Sequence, residues 1–260
     1  MKRHLQIISA LFALALLCFP SGLGANEPWE EVFFKANEAY KEGRFNDAVA
    51  GYNKLLESGL KNGHLYFNLG NAYFRLNQLG QAILNFERSR LLMPRDADLR
   101  FNLGHARDQT TDAIPESEGL LNMVFFWLDA LNLAELFWAF AFANLVLWAT
   151  LLIRLYNRSE WTFYTALITL AFWIVLGTSF GMKWYQTTKD RRAVIITKEV
   201  PVLAGPETGD TILFKLHEGT IVRHERSEDG WSLIRLAEKK RGWVQAGAIE
   251  RIAAKKAVFF

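Results

Sequence analysis

Gly177-Thr178-Ser179-Phe180-Gly181 has the spacing of a nucleophile elbow, in which a serine on a sharp strand-to-helix turn attacks an acyl carbon. The flanking sequence is wrong for that chemistry, because unbroken apolar residues on both sides predict one continuous helix. Glycines four apart on such a helix, Gly177 and Gly181, instead let a neighbouring helix come close. His217-Glu218 begins like a zinc-binding H-E-x-x-H pair, but Ile221 stands where the second ligand is needed. His64, His105, His217 and His224 form no close pair on one helix face, and no glycine-rich phosphate loop follows a predicted strand. The single cysteine, Cys18, excludes a disulfide framework and a Cys-based zinc site. These patterns predict a chain that is not an enzyme and holds no cofactor or metal.

A different constellation is repeated along the chain. Phe67-Asn68-Leu69-Gly70 recurs as Phe101-Asn102-Leu103-Gly104, 34 residues later, and Ala48 and Tyr52 recur as Ala82 and Phe86 at the same interval. Around Gly70 and Gly104 lie Asn68, Asn71, Asn102 and His105, and in the same phase Asn37 follows Ala36. An asparagine amide both donates and accepts, so a row of them can hold an extended peptide backbone without demanding a sequence. Phe67 and Phe101 lie beside the row as candidate apolar anchors. The alternative is that the asparagines bond one another and the phenylalanines seal a short array.

Such a row needs helices stacked side by side. Apolar spacing on both sides of a turn predicts helix pairs, with small residues at Gly70 and Ala82 for close approach and Pro94 ending the second helix. The period and pattern resemble the tetratricopeptide repeat over residues 29–110: units 29–62 and 63–96, then an extra helix, 97–110. In that family the first helix of each unit lines a concave groove. Asn37 and Asn68 coincide with two asparagines of the family's carboxylate clamp, while Phe33, Asp98 and Asn102 occupy its basic positions. The first unit is one residue shorter between Tyr40 and Ala48 than the second between Tyr73 and Ala82, which predicts a different turn.

The composition divides the rest. At 260 residues, 51% hydrophobic and 14% aromatic, the chain is too apolar for one soluble domain. Lys2 and Arg3, the apolar run from Leu5 to Phe19 and small residues to Ala25 read as a signal peptide over 1–25, with an uncleaved anchor as the rival. Residues 111–118 read as a linker and 119–131 as an interfacial helix. Two runs then have the length and composition of membrane spans, 133–154 and 161–182, and within the first the uncharged stretch Leu136–Ile153 has Asn144 as its only strongly polar residue. The connection is too short for a domain, so both flanking domains lie on one side, which the signal peptide makes the exterior. Lys183, Lys189, Arg191 and Arg192 after the second span outnumber Arg154 and Arg158 in the loop. Positive-inside bias alone favours the reverse orientation.

From Arg191 the pattern changes to six short β-rich runs separated by turn signals, including Gly205-Pro206 and Asp229-Gly230. These predict a small barrel over 191–252. Gly219, Trp231 and Gly242-Trp243-Val244 resemble bacterial SH3-like domains. Residues 183–260 carry 15 basic and 10 acidic side chains, against 11 and 14 in 27–118. The basic residues lack the interleaved aromatics of a nucleic-acid stacking surface, and an exterior location argues against nucleic acid as a partner.

The predicted fold class is multidomain: an α-helical tetratricopeptide solenoid, a two-helix transmembrane hairpin in a lipid bilayer, and a small all-β SH3-like barrel. That order resembles the BatE family of bacterial aerotolerance-operon proteins, and the segment Ile212–Val222 is especially similar. The resemblance implies partners among von Willebrand A-type membrane proteins of the Bat group and a MoxR-type ATPase, with a role in envelope stress tolerance. It implies a bacterial inner-membrane location with both terminal domains periplasmic. A cell-wall adaptor gripping peptidoglycan through the SH3-like domain is the competing expectation.

Overall fold

The computed structural model describes residues 29–112, 125–236 and 240–253. The expected signal peptide, most of the linker and the first half of the expected interfacial helix lie outside the described residues.

Among the described residues five helices come first: α1 (Trp29–Lys41), α2 (Phe45–Glu57), α3 (Gly63–Arg75), α4 (Leu79–Leu92) and α5 (Ala97–Asp108). Their 34-residue period extends to the turns and caps. Gly43 and Asn77, 34 apart, both take positive φ, at 79° and 56°. Beside them the N–H groups of Arg44 and Gln78 donate back to Ala39 O and Tyr73 O at 2.8 and 3.0 Å. The left-handed conformation that costs a glycine little is also open to asparagine. Asn62 and Asp96, again 34 apart, cap α3 and α5 by accepting from Leu65 N and Leu99 N. The expected difference between the two turns is therefore corrected. Ala39, not Tyr40, occupies the place of Tyr73, and both turns are three residues long.

Packing explains the small residues. Ala48, Tyr52, Ala82 and Phe86 are all buried. A Cβ on Gly70 would stand 2.6 Å from the Phe86 ring, so the glycine makes room for that ring between the helices. Helix α4 is enclosed on a second side as well, with Ile83, Leu84 and Glu87 as inaccessible as Ala82 and Phe86.

A short helix, α6 (Trp127–Ala130), is the described part of the expected interfacial segment. Two long helices follow, α7 (Leu133–Tyr156) and α8 (Glu160–Thr188), of 24 and 29 residues. At about 1.5 Å per residue they are roughly 36 and 43 Å long, enough to cross a hydrocarbon core of about 30 Å. Only 17% and 11% of their most apolar stretches are buried, unlike the core helices of a soluble protein. Asn132 and Glu135 close a capping box at the start of α7. Phe140 stacks on Phe180, and Asn144 Oδ1 accepts from Trp173 Nε1 at 3.1 Å across the pair. A Cβ on Gly177 would stand 2.9 Å from the Phe140 ring, whereas one on Gly181 would meet nothing within 4 Å. Close approach therefore accounts for Gly177 and not for Gly181.

The remainder is one antiparallel sheet: β1 (Arg192–Ile195), β2 (Glu199–Leu203), β3 (Ile212–His217), β4 (Ile221–Glu228), β5 (Trp231–Arg235), β6 (Arg241–Gln245) and β7 (Ile249–Arg251). The spatial order is β3-β2-β6-β5-β4-β1-β7. One strand more is present than the six runs predicted, because β7 has only three residues and shows no alternation to read. Ala193 and Ile195 enter the sheet's own core with Val202, Val222 and Ile234. Val194, on the opposite face of β1, joins Ile252 in the core of α4 and α5. Strand β1 is thus buried on both sides, and the sheet sits directly on the helices.

Candidate functional site

The repeated asparagines come together in two bonded pairs. Asn68 Nδ2 donates to Asn37 Oδ1 at 3.1 Å, and Asn102 Nδ2 donates to Asn71 Oδ1 at 2.8 Å. Each pair joins α1 to α3 or α3 to α5, so the row runs across consecutive first helices as the 34-residue phase requires. Tyr52 Oη also donates to Asn37 Oδ1, at 2.7 Å, tying the row to the core. Burial pushes the Tyr52 hydroxyl up to about 12, so it remains a donor at any physiological pH.

The pairing uses one half of each amide. Asn37 Nδ2 and Asn68 Oδ1 have no partner in the first pair, nor do Asn71 Nδ2 and Asn102 Oδ1 in the second, and none of these atoms is sealed from water. Each pair therefore presents one donor and one acceptor. That is the complement of an extended backbone, which offers one of each per residue.

The aromatic neighbours differ from one another. Phe101 is 74% exposed and stacks on the His105 ring at 6.4 Å between centroids. Phe67 is half-buried against Phe86 and belongs to the core rather than the groove. Phe34, 60% exposed, is a further apolar residue on the first helix, outside the repeated tetrad. It lies 34 residues before Asn68, at an equivalent position, where only its change of residue type hid it.

A second concave site lies on the barrel, about 540 Å³ in volume, between Leu213, Leu233, Arg241 and Trp243. The Arg226 guanidinium stands 5.1 Å over the Trp243 ring. Gly242 is fixed by packing, since a Cβ there would stand 2.5 Å from Val202 and 2.8 Å from Leu203 O. The Asp229-Gly230 turn, with φ of 43° and 83°, delivers Trp231 to the start of β5.

Residues 197–250 match the bacterial SH3 domain family. The comparison with curated proteins gives no match to the chain. The matched segment begins after Val194 and ends before Ile252, the two barrel residues that enter the helical core. The match thus leaves out β1, whose Ala193 and Ile195 complete the sheet's core, but includes Glu218, His217, Thr220 and Glu250, which contact the helices.

That attachment was not visible in motif spacing. Glu87, wholly buried, is shared by Arg90 at 2.8 Å, Arg107, and Arg192 of the SH3 domain at 3.4 Å. Arg88 donates to Glu250 Oε1 at 2.8 Å and Arg251 O at 2.9 Å. Glu218 accepts from Gly80 N at 3.1 Å and so caps a helix of the other domain. Asp112 accepts from His217 N and Thr220 Oγ1, both at 2.7 Å, and faces His217 Nδ1 at 3.1 Å. Burial pushes the Asp112 carboxyl up, but these hydrogen bonds outweigh it and hold the group below its ordinary value. His217, Glu218 and Thr220 of the SH3 domain thus all contact the helical segment.

Ser179, the serine of the elbow-like pattern, lies mid-helix. It donates to Val175 O at 2.7 Å and accepts from Trp127 Nε1 at 3.1 Å, which leaves it positioning α6 against α8.

Proposed function

We propose that this chain is a non-catalytic scaffold, anchored by α7 and α8 across a bacterial inner membrane, that presents two interaction surfaces on the periplasmic side. The helical array is read as a tetratricopeptide solenoid whose groove, with Asn37, Asn68, Asn71, Asn102 and Phe101, takes an extended segment of a partner. The observation that carries the reading is the joint between modules. Glu87, Asp112 and Glu218 lock the SH3 domain onto the helices, and Asn132 Nδ2 donates to Leu92 O at 3.1 Å to hold the hairpin against the same array. A rigid joint suits a protein that holds partners in fixed relation, and no moving part is needed for that task.

The partners implied by the resemblance to BatE are Bat-type membrane proteins with von Willebrand A domains and, through them, a MoxR-type ATPase, in envelope stress or aerotolerance. The test is photocrosslinking from Phe101 in intact membranes, followed by identification of the crosslinked protein. A von Willebrand A-domain membrane protein is the expected product. Crosslinks absent at Phe101 but present at Trp243 would move partner binding to the SH3 domain.

The Trp243 hollow with its overlying Arg226 favours a second reading, a cell-wall adaptor. Co-sedimentation of the full chain in detergent with purified peptidoglycan, lost in Trp243→Ala, would support it over the first.

A further inference from the structure

A cleft of about 1050 Å³ lies where the end of α8, helices α4 and α5, and strands β1, β4 and β5 converge. Its walls carry ten basic side chains and three carboxylates. Six are engaged: Arg90, Arg107 and Arg192 share Glu87, Arg95 holds Glu135, Arg235 holds Glu225, Arg192 also engages Asp190 at 2.8 Å, and Lys183 donates to Leu128 O at 2.6 Å. Four are not. Arg100, Lys189, Arg191 and Arg223 are exposed and make no ion pair among the described residues, and of the three carboxylates only Asp129 is likewise unpaired. Like charges brought to one concavity from three separate elements repel, and an anion seated among them removes that repulsion.

The depth of the cleft selects the anion. The uncharged stretch of α8 ends at Met182, and Lys183 and Gln186 already belong to the wall. At about 1.5 Å per residue Lys189 stands roughly 10 Å beyond Met182, at the depth of a headgroup layer if α8 spans the bilayer. Exposed Trp184 and Tyr185 lie at that level, as interfacial aromatics do.

We propose that this cleft binds the phosphate-bearing headgroup of an anionic phospholipid in the leaflet beneath the two domains. The proposal rests on the membrane-anchor reading above. It also bears on the four basic residues that follow the second apolar stretch against the usual charge bias, of which Lys183 donates to Leu128 O. Arg192 serves the joint between domains, while Lys189 and Arg191 serve the lipid, so their place in the sequence answers to binding and not to orientation.

The test uses the full chain purified in neutral detergent and supplied with equal phosphatidylglycerol and phosphatidylcholine, with retained lipid read by native mass spectrometry. Phosphatidylglycerol is expected to be retained in preference. The Arg191→Ala/Arg223→Ala variant should lose that preference about tenfold with its melting temperature unchanged, and Lys41→Ala/Lys54→Ala should keep it. Equal retention of both lipids, or an unaltered preference in the first variant, would overturn the proposal. Displacement of the lipid by inorganic phosphate at comparable concentration would overturn it in favour of a soluble anion. Carbonate extraction of cell membranes separates the two levels. Release of the chain would overturn both anchor and lipid site, whereas a chain that stays with the membrane but shows no lipid preference loses the lipid site alone.

Discussion

Glu87 Oε2 and Arg192 Nη1 meet at 3.4 Å across the boundary between the helices and the SH3 domain, with the carboxylate wholly buried and the guanidinium partly so. Arg90 and Arg107 reach the same carboxylate, so one anion offsets three cations. Removing the anion is therefore worse than removing any one cation. Glu87→Ala should destabilise the chain by less than the roughly 3–5 kcal/mol of a fully buried pair, since the three guanidiniums it releases are partly exposed and Arg192 keeps Asp190, and Arg192→Met should cost less again. Thermal unfolding of both variants in detergent checks the order.

Close packing at the joint gives a second, uncharged test. A Cβ on Gly80 would stand 2.5 Å from Ile195 O and 2.9 Å from Ile196 Cα, both backbone atoms that cannot swing aside. Gly80→Ala should separate SH3 domain from helices and split one unfolding transition into two. Gly104, with nothing within 4 Å of its would-be Cβ, should accept alanine and gain slightly in helix stability. Calorimetry on the two variants distinguishes them.

The helix pairs, the long apolar helices and the barrel strands were legible because each has a strong period or length signal. The joint was not, because it depends on single residues from distant segments: Glu87 with Arg192, Gly80 with Glu218, and Asp112 with His217. One hint was present. Ile83, Leu84 and Glu87 fall off the Ala82–Phe86 face of α4, and a helix apolar on more than one face is buried on more than one. The equivalence of the two turns is hidden for a similar reason: Tyr40 and Tyr73 share a residue type, but Gly43 and Asn77 share the backbone geometry that sets the register.

Acid should loosen the same joint from another side. Asp112 has a folded value below its ordinary 3.8, so its contribution is present at neutral pH and above that value. It is lost as pH falls through the lower folded value. Asp112→Asn should lower the melting temperature at pH 7, and the gap from wild type should narrow below about pH 4. A gap constant across that range would mean the carboxylate charge contributes nothing.

The proposed orientation predicts a labelling pattern. Cysteines introduced at Ser58 and Thr208 should both react with an impermeant reagent on intact spheroplasts, and one at Ser159, between α7 and α8, should not. The reverse pattern would place both domains in the cytoplasm.

The groove prediction turns on the way the asparagines are paired. Asn71 and Asn102 bond each other, so changing both to alanine removes donor and acceptor together and strands neither. Stability should hold, because a hydrogen bond deleted with both partners costs little. Binding should not hold, since Asn71 Nδ2 and Asn102 Oδ1 are the atoms left for a partner's backbone. Two neutral hydrogen bonds at about 0.5–1.5 kcal/mol each weaken binding roughly 5- to 150-fold. Asn37→Ala should behave differently: it takes the acceptor from the buried Tyr52 hydroxyl as well as from Asn68, and should cost about 1–3 kcal/mol of stability. Affinity for the crosslinked partner and melting temperature, measured on both variants, separate the two roles. A folded Asn71→Ala/Asn102→Ala chain that binds at full strength would make the asparagine row a structural seam and leave the Trp243 hollow as the partner site.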